Sequence, residues 1–328
     1  MTQTIIIIGS GLAGLRAGRL LQNAGHQVLI LDKGRRIGGR MSTRRADGFL
    51  FNHGAQFITA RSDQFRAVCK EAELAGQLAC WPLDGRENAL SGTPSMRGLA
   101  EFMGQGLQIR QDHEVETVTR TTGGLITLNL SGQEAITCQH LLVTCPAPQT
   151  ARLLAEAAPE LAAAAKDVVY APCWTVMAGF SEPLHLSAAP VQQPDGILGW
   201  VTYEARRPQA SEQPALTLQA NAAFSQRHLE DPPQDICDRL LSAFAANQNI
   251  DLPEPSYLAA HRWRYAKVET PCPSDTPFCS EQTDSVIAVA GDWHPVSAAS
   301  DKPASGTRAE EAFLSGERAA GYLIDRLS

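Results

Sequence analysis

The stretch Ile5-Ile6-Ile7-Ile8-Gly9-Ser10-Gly11-Leu12-Ala13-Gly14 decides the fold. Four consecutive β-branched apolar residues read as a short strand buried on both faces. The glycines at 9, 11 and 14 then make a G-x-G-x-x-G turn. Gly9 permits the tight turn, Gly11 lets the backbone approach a pyrophosphate, and Gly14 lets the next helix lie close to the strand. Leu12, Leu15, Leu20 and Leu21 keep helical spacing up to Gly25, and Val28 to Leu31 is a second buried strand ending on Asp32. A carboxylate there, eighteen residues past Gly14, can accept hydrogen bonds from a ribose hydroxyl. Strand, turn, helix, strand and acid in that order predict a right-handed βαβ unit that binds a dinucleotide at the helix N-terminus.

The 328 residues suggest about two domains. With 44% hydrophobic and 19% charged residues the chain reads as globular, not as a disordered, collagen-like or coiled-coil chain. A net charge of −7 argues against a globally basic nucleic-acid binder. No apolar run is long enough for a transmembrane helix, and the start lacks a basic region before its short apolar run, so a cytoplasmic protein without membrane contact is expected. The eight cysteines make no C-x-x-C pair, no H-E-x-x-H is present, and free thiols without a metal site are expected.

Residues 33–62 are rich in Gly and Arg and hold no convincing helix. A helix is expected over 63–78, strands within 107–145, a helix over 151–165 interrupted by Pro159, a helix near 235–247, a buried strand over 285–290, a loop over 295–307 and a closing helix over 308–326. The expected division is a dinucleotide domain of residues 1–62, 92–165 and 285–328, and a second domain of 63–91 and 166–284.

Two features favour FAD over NAD. Arg35-Arg36-Ile37-Gly38-Gly39-Arg40 follows the ribose acid, and its paired glycines can wrap a second loop over the pyrophosphate while Arg40 offers a guanidinium fork. Far away, a strand ends at Ala290-Gly291-Asp292 before the last helix, where Asp292 can meet a ribityl hydroxyl and the helix dipole can face the flavin.

With Phe313-Leu314-Ser315-Gly316 in the last helix, these motifs resemble the FAD-dependent amine-oxidase superfamily. More local strings resemble its bacterial renalase branch: Gly38-Gly39-Arg40-Met41-Ser42, His53-Gly54-Ala55-Gln56-Phe57-Ile58-Thr59-Ala60-Arg61, Pro146-Ala147-Pro148-Gln149, His261-Arg262-Trp263-Arg264-Tyr265-Ala266 and Gly291-Asp292-Trp293. Together they cover essentially the whole chain. The resemblance implies an α/β fold in which a Rossmann-like FAD-binding domain is interleaved with a mixed sheet-plus-helix substrate domain. It implies non-covalent FAD, with cofactor contacts at Gly9, Gly11, Leu12, Ala13, Gly14, Asp32, Lys33, Gly39, Arg40, Ala55, Gln56, Val115, Gly291, Asp292, Arg308 and Ala309.

The implied activity is oxidation of the 2- and 6-dihydro isomers of NAD(P)H to NAD(P)+ by hydride transfer to flavin N5. O2 reoxidises the flavin and gives hydrogen peroxide, a metabolite-repair reaction. The flavin carries that chemistry, so no side chain is expected as catalyst. A planar substrate suits aromatic stacking, and the expected pocket is His53, Gln56, Trp263, Tyr265, Trp293 and His294. Arg262 and Arg264 suit either a substrate phosphate or a salt bridge. The sequence departs from the family pattern in the sixteen positions separating Asp292 from Arg308 and in Glu311, where glycine is usual. The competing readings are a flavin oxidase of a small amine, a non-catalytic dinucleotide-binding protein and a colourless NAD dehydrogenase.

Overall fold

The computed structural model describes residues 4–83, 85–186, 196–210, 212–273, 275–296 and 309–327. Strand β1 (Thr4–Ile8), helix α1 (Leu12–Asn23) and strand β2 (Gln27–Leu31) form the expected unit, with β1 and β2 parallel and Ile5 opposite Val28. They sit in a six-stranded sheet ordered 279–282, 285–289, 140–143, β1, β2, 109–110, parallel except for the antiparallel 279–282 edge.

Strand alternation divides this sheet between two cores. Ile5, Ile7, Val28, Ile30, Leu142 and Ala288 point into one, with Leu15 and Leu21 of α1 and Phe313, Ala320 and Leu323 of the closing helix Ala309–Leu327. Ile6, Ile8, Leu29, Leu31, Leu141, Val143 and Ile287 point into the other. That face is covered by the antiparallel strands Val115–Arg120, Ile126–Leu130 and Ile136–Cys138 and by two short helices. Runs such as Ile5–Ile8 lack a polar alternate because both faces are covered.

The chain then leaves for a four-stranded antiparallel sheet ordered 198–203, 215–220, 169–179, 257–270. Helix Pro233–Gln248 closes one face of it through Ile236, Leu240 and Phe244 against Trp174, Val176 and Leu218.

Three expectations are corrected. The helix over 151–165 is two helices, Ala147–Leu154 and Pro159–Lys166. Pro159 lies at the start of the second, where its missing N–H costs nothing. Residues 63–91 do not simply join the second sheet: helix α2 (Asp63–Leu74) buries Phe65, Cys69 and Ala72 in the core of α1 and the closing helix. The return boundary at 285 falls late, because Cys279–Gln282 already forms the edge of the six-stranded sheet.

Candidate active site

A cleft of about 2050 Å³ runs from the β1–α1 turn to the four-stranded sheet. Pockets for a single small ligand are roughly 300–1,000 Å³, so this one has room for an extended dinucleotide and a second molecule. At one end Gly9 has φ +106° and Gly11 faces open space, with nothing within 4 Å of where a Cβ would stand. Helix α1 has no side-chain cap, so its first N–H groups are free for an anion. A Cβ on Gly14 would fall 2.0 Å from the Gly9 carbonyl oxygen, so the close approach of helix to turn depends on glycine there. The Gly38–Gly39 loop lies over this turn, tied by the Gly38 N–H donating to Ser10 O at 2.9 Å.

Asp32 lines the cleft at the end of β2. Its Oδ2 accepts from Ser10 N and Ser10 Oγ, both at 2.6 Å, and its Oδ1 accepts from Gly34 N at 2.7 Å. Arg40 also lines the cleft, and its guanidinium donates to both Asp292 oxygens, at 2.8 and 2.6 Å. The Asp292 side chain is fully buried. Asp292 is absent from the cleft lining and each of its oxygens accepts from one terminal nitrogen of Arg40, against the expected direct contact with a ribityl hydroxyl. Leu12, Ala13, Lys33, Gly39, Ala55, Gln56, Val115, Gly291 and Ala309 line the cleft, whereas Gly14 acts only through packing. Arg308 and most of the segment before the closing helix lie outside the described residues.

At the other end stands an aromatic wall. Alternation along strand Tyr257–Thr270 sets Tyr257, His261 and Trp263 on one face. The Trp263 indole N–H donates to His53 O at 2.9 Å, and its ring stacks with that of His53 at 5.5 Å. His261 meets both edge-on, at 5.0 Å from His53 and 4.4 Å from Trp263. Burial first, then His261 and the Arg44 guanidinium, hold the His53 imidazole down at about 3. Burial and Arg44 lower His261 as well. Both rings are neutral at physiological pH. Burial also pushes the cleft thiols Cys145 and Cys173 up, to about 12 and about 11, so neither is a ready nucleophile.

Four pocket expectations are corrected. Trp293 is fully buried under the six-stranded sheet, its N–H donating to Cys145 O at 3.0 Å. His294 is fully buried too, its Nδ1 facing Arg318 at 2.8 Å. Tyr265 does not line the cleft. The register of its strand slips between Trp263 and Lys267, which turns Tyr265 onto Tyr170 and presents Ala266 instead. Gln56 lines the cleft, yet its amide is consumed. Nε2 donates to Asn52 O and Gly54 O, and Oε1 accepts from Thr202 and Arg207. Arg262 and Arg264 both pair with exposed Glu230.

The sequence reading missed the support beneath the wall. Buried Glu204 accepts from Asn52 N and Nδ2, Thr217 Oγ1 and Arg207 Nε, and buried Arg207 also donates to Gln56 O at 2.6 Å. Their three-residue spacing is the only local signal. His261 and Arg44 were missed as well, although the two-residue period that gave Trp263 also contains His261.

The fold and cleft define a Rossmann-type dinucleotide-binding oxidoreductase. The profile of the NAD(P)-binding Rossmann-like domain matches residues 7–72, and that of the flavin containing amine oxidoreductases matches residues 75–324. The chain belongs to the flavin-containing amine oxidoreductase family. It is 43% identical over 68 residues to an L-amino-acid oxidase of Siganus canaliculatus and 40% identical over 72 residues to polyamine oxidase 2 of Arabidopsis thaliana. These alignments take in 20% and 22% of this chain and 13% of each relative's length. A putative protoporphyrinogen oxidase from Exiguobacterium sp. 255-15 superposes over 99% of both chains with TM-score 0.76 at 14% identity. Cyclohexylamine oxidase from Brevibacterium oxydans does so over 100% of both with TM-score 0.68 at 14%.

FAD is the cofactor of this family, and the site fits it. The uncapped α1 N-terminus, the open face of Gly11 and the cleft-lining charge of Arg40 suit a pyrophosphate, and Asp32 keeps an acceptor site for a ribose. Among the described residues no His, Cys, Asp or Glu group could hold a metal, and no helix is long and apolar enough to cross a membrane.

Proposed function

We propose that the chain oxidises the 2- and 6-dihydro isomers of NAD(P)H to NAD(P)+, with O2 as the final acceptor and hydrogen peroxide as the second product. The observation that carries this reading is the charge of the cleft. Eleven basic side chains and four carboxylates line it, in a chain of net charge −7. A dinucleotide substrate brings phosphates that such a cleft attracts, whereas a protonated amine is repelled.

Bound FAD supplies a two-electron acceptor that O2 can reoxidise. The chain's residues bind and orient. Basic side chains along the cleft hold the phosphates, and Trp263 with the two imidazoles offers a flat apolar face to the dihydropyridine. Because His53 and His261 are neutral, they add no repulsion to the pyridinium that forms. The balance closes with one hydride leaving the ring and one solvent proton joining it on O2. No side-chain base is required. The FAD contacts proposed are the cleft-lining ones above, with Arg40 on the pyrophosphate and Asp292 as its brace.

Amine oxidation is the second reading. The His53–His261–Trp263 wall favours it, since an aromatic surface beside a flavin also suits a neutral amine. The test is anaerobic mixing of the holoprotein with separated 2-, 4- and 6-dihydro isomers and with small primary amines, followed by flavin absorbance. Bleaching by the 2- or 6-isomer is expected, with stoichiometric peroxide on admitting air. Bleaching by amines alone would overturn the proposal.

A further inference from the structure

We infer that Arg44 and His53 form an anion subsite beside the aromatic wall, and that it takes the phosphate attached to the substrate's ring-bearing ribose. The inference rests on the dihydronicotinamide reading and adds a specificity-determining pair to it. Arg44 opens the short strand Arg44–Ala46, which pairs with Phe49–Phe51, and it lines the cleft. Three guanidinia of the cleft and its support have carboxylates: Arg40 has Asp292, Arg207 has Glu204 and Arg97 has Glu101 at 3.7 Å. The unpaired ones include Arg35, Arg36, Arg45, Arg61, Arg86 and Arg152, and among the unpaired ones Arg44 is the one whose charge acts on both imidazoles of the wall. Arg44 has none among the described residues. Among the described residues its one hydrogen-bond partner is the Tyr257 hydroxyl, at the 3.5 Å limit. In a chain with 35 acidic and 28 basic residues, leaving this cation unpaired in a cleft calls for an anion from outside.

The neighbour supplies the second observation. His53 is 5% exposed, lines the same cleft, and its Nδ1 is buried without a hydrogen-bond partner. Such a group is costly unless something satisfies it. An anionic oxygen accepts from an Nδ1–H and from the guanidinium together. After burial, Arg44 is among the causes that lower both His53 and His261, so its charge reaches the wall. Phosphate geometry matches a guanidinium fork better than an ammonium. The wall holds the flat ring, so the group nearest Arg44 is the phosphate one ribose away.

The test uses holoprotein and compares kcat/KM for dihydronicotinamide mononucleotide with that for the riboside, which lacks the phosphate. In the native protein the mononucleotide should be favoured by 10-fold or more. Arg44→Gln should collapse that ratio toward one, while Arg44→Lys should keep part of it. An unchanged ratio in Arg44→Gln overturns the subsite, as does loss of bound flavin, which would place Arg44 on the cofactor. If no dihydronicotinamide is oxidised, the dinucleotide reading falls separately, and calorimetry with inorganic pyrophosphate decides the subsite. Binding at least 10-fold weaker in Arg44→Gln than in the native holoprotein supports it, and no binding to either overturns it.

Discussion

The nucleotide end of the cleft is assembled from residues 9–40, one after another along the chain, whereas the aromatic end joins His53 to Trp263 across 210 positions. The first is held by backbone: a glycine turn, a helix N-terminus and a strand-end carboxylate that ties down Ser10 and Gly34. The second is held by side chains that meet only after both sheets have formed. Its foundation is the buried Glu204–Arg207 pair, with Asn52, Gln56, Thr202 and Thr217 closing the remaining hydrogen bonds. A local motif can be disabled by one atom. A tertiary one fails by losing a partner.

The largest effect should come from Gly14→Val at the nucleotide end. Its Cβ would stand 2.0 Å from a backbone oxygen that no rotamer change can move. Purified protein should retain no flavin, read as the ratio of visible to ultraviolet absorbance. Substantial retention would show that α1 can shift and would weaken the contrast. Next is Arg207→Met, which leaves Glu204 buried without its cation. Removing one partner of a buried ion pair costs about 3–5 kcal/mol. Urea unfolding of the holoprotein measures this, and a loss below about 1 kcal/mol would mean water or movement satisfies Glu204.

Trp263→Ala sharpens the comparison at the level of function. Flavin should stay bound while kcat/KM for the preferred substrate falls about 10- to 100-fold, equivalent to about 1.4–2.8 kcal/mol. Equal loss of flavin would merge the two ends into one site. A further effect is with pH. His53 and His294 titrate at about 3 and about 4 when folded, against 6.5 for the ordinary imidazole. The unfolded chain therefore binds more protons below pH 6.5, and stability must fall as pH drops from 6.5 toward 4. Melting temperatures across that range should decline less steeply in His53→Gln than in the native protein.

The part of the site readable from sequence is the part whose neighbours in space are neighbours in the chain. Gly9, Gly11, Gly14 and Asp32 needed only spacing. Trp263 was legible because the two-residue period of a strand survives into the sheet. Tyr265, two residues on, was misread because the register slip after Trp263 depends on pairing with the strand 169–179. Trp293 and His294 were misread for a related reason. Aromatic residues beside a motif suit a pocket or a core equally well, and only the path of the chain under the sheet sends these two inward.

By itself, then, the sequence determined the βαβ unit, its glycine turn and strand-end acid, and the interleaving of two sheets, because backbone geometry and strand or helix period are local properties. Tertiary structure alone decided that Asp292 pairs with Arg40, that Gln56 is spent on a buried network, that Glu204 and Arg207 support the wall, and that Arg44 lines the cleft without a carboxylate among the described residues. Those outcomes depend on which charges and hydrogen-bonding groups are desolvated together, and desolvation is a property of the packed chain.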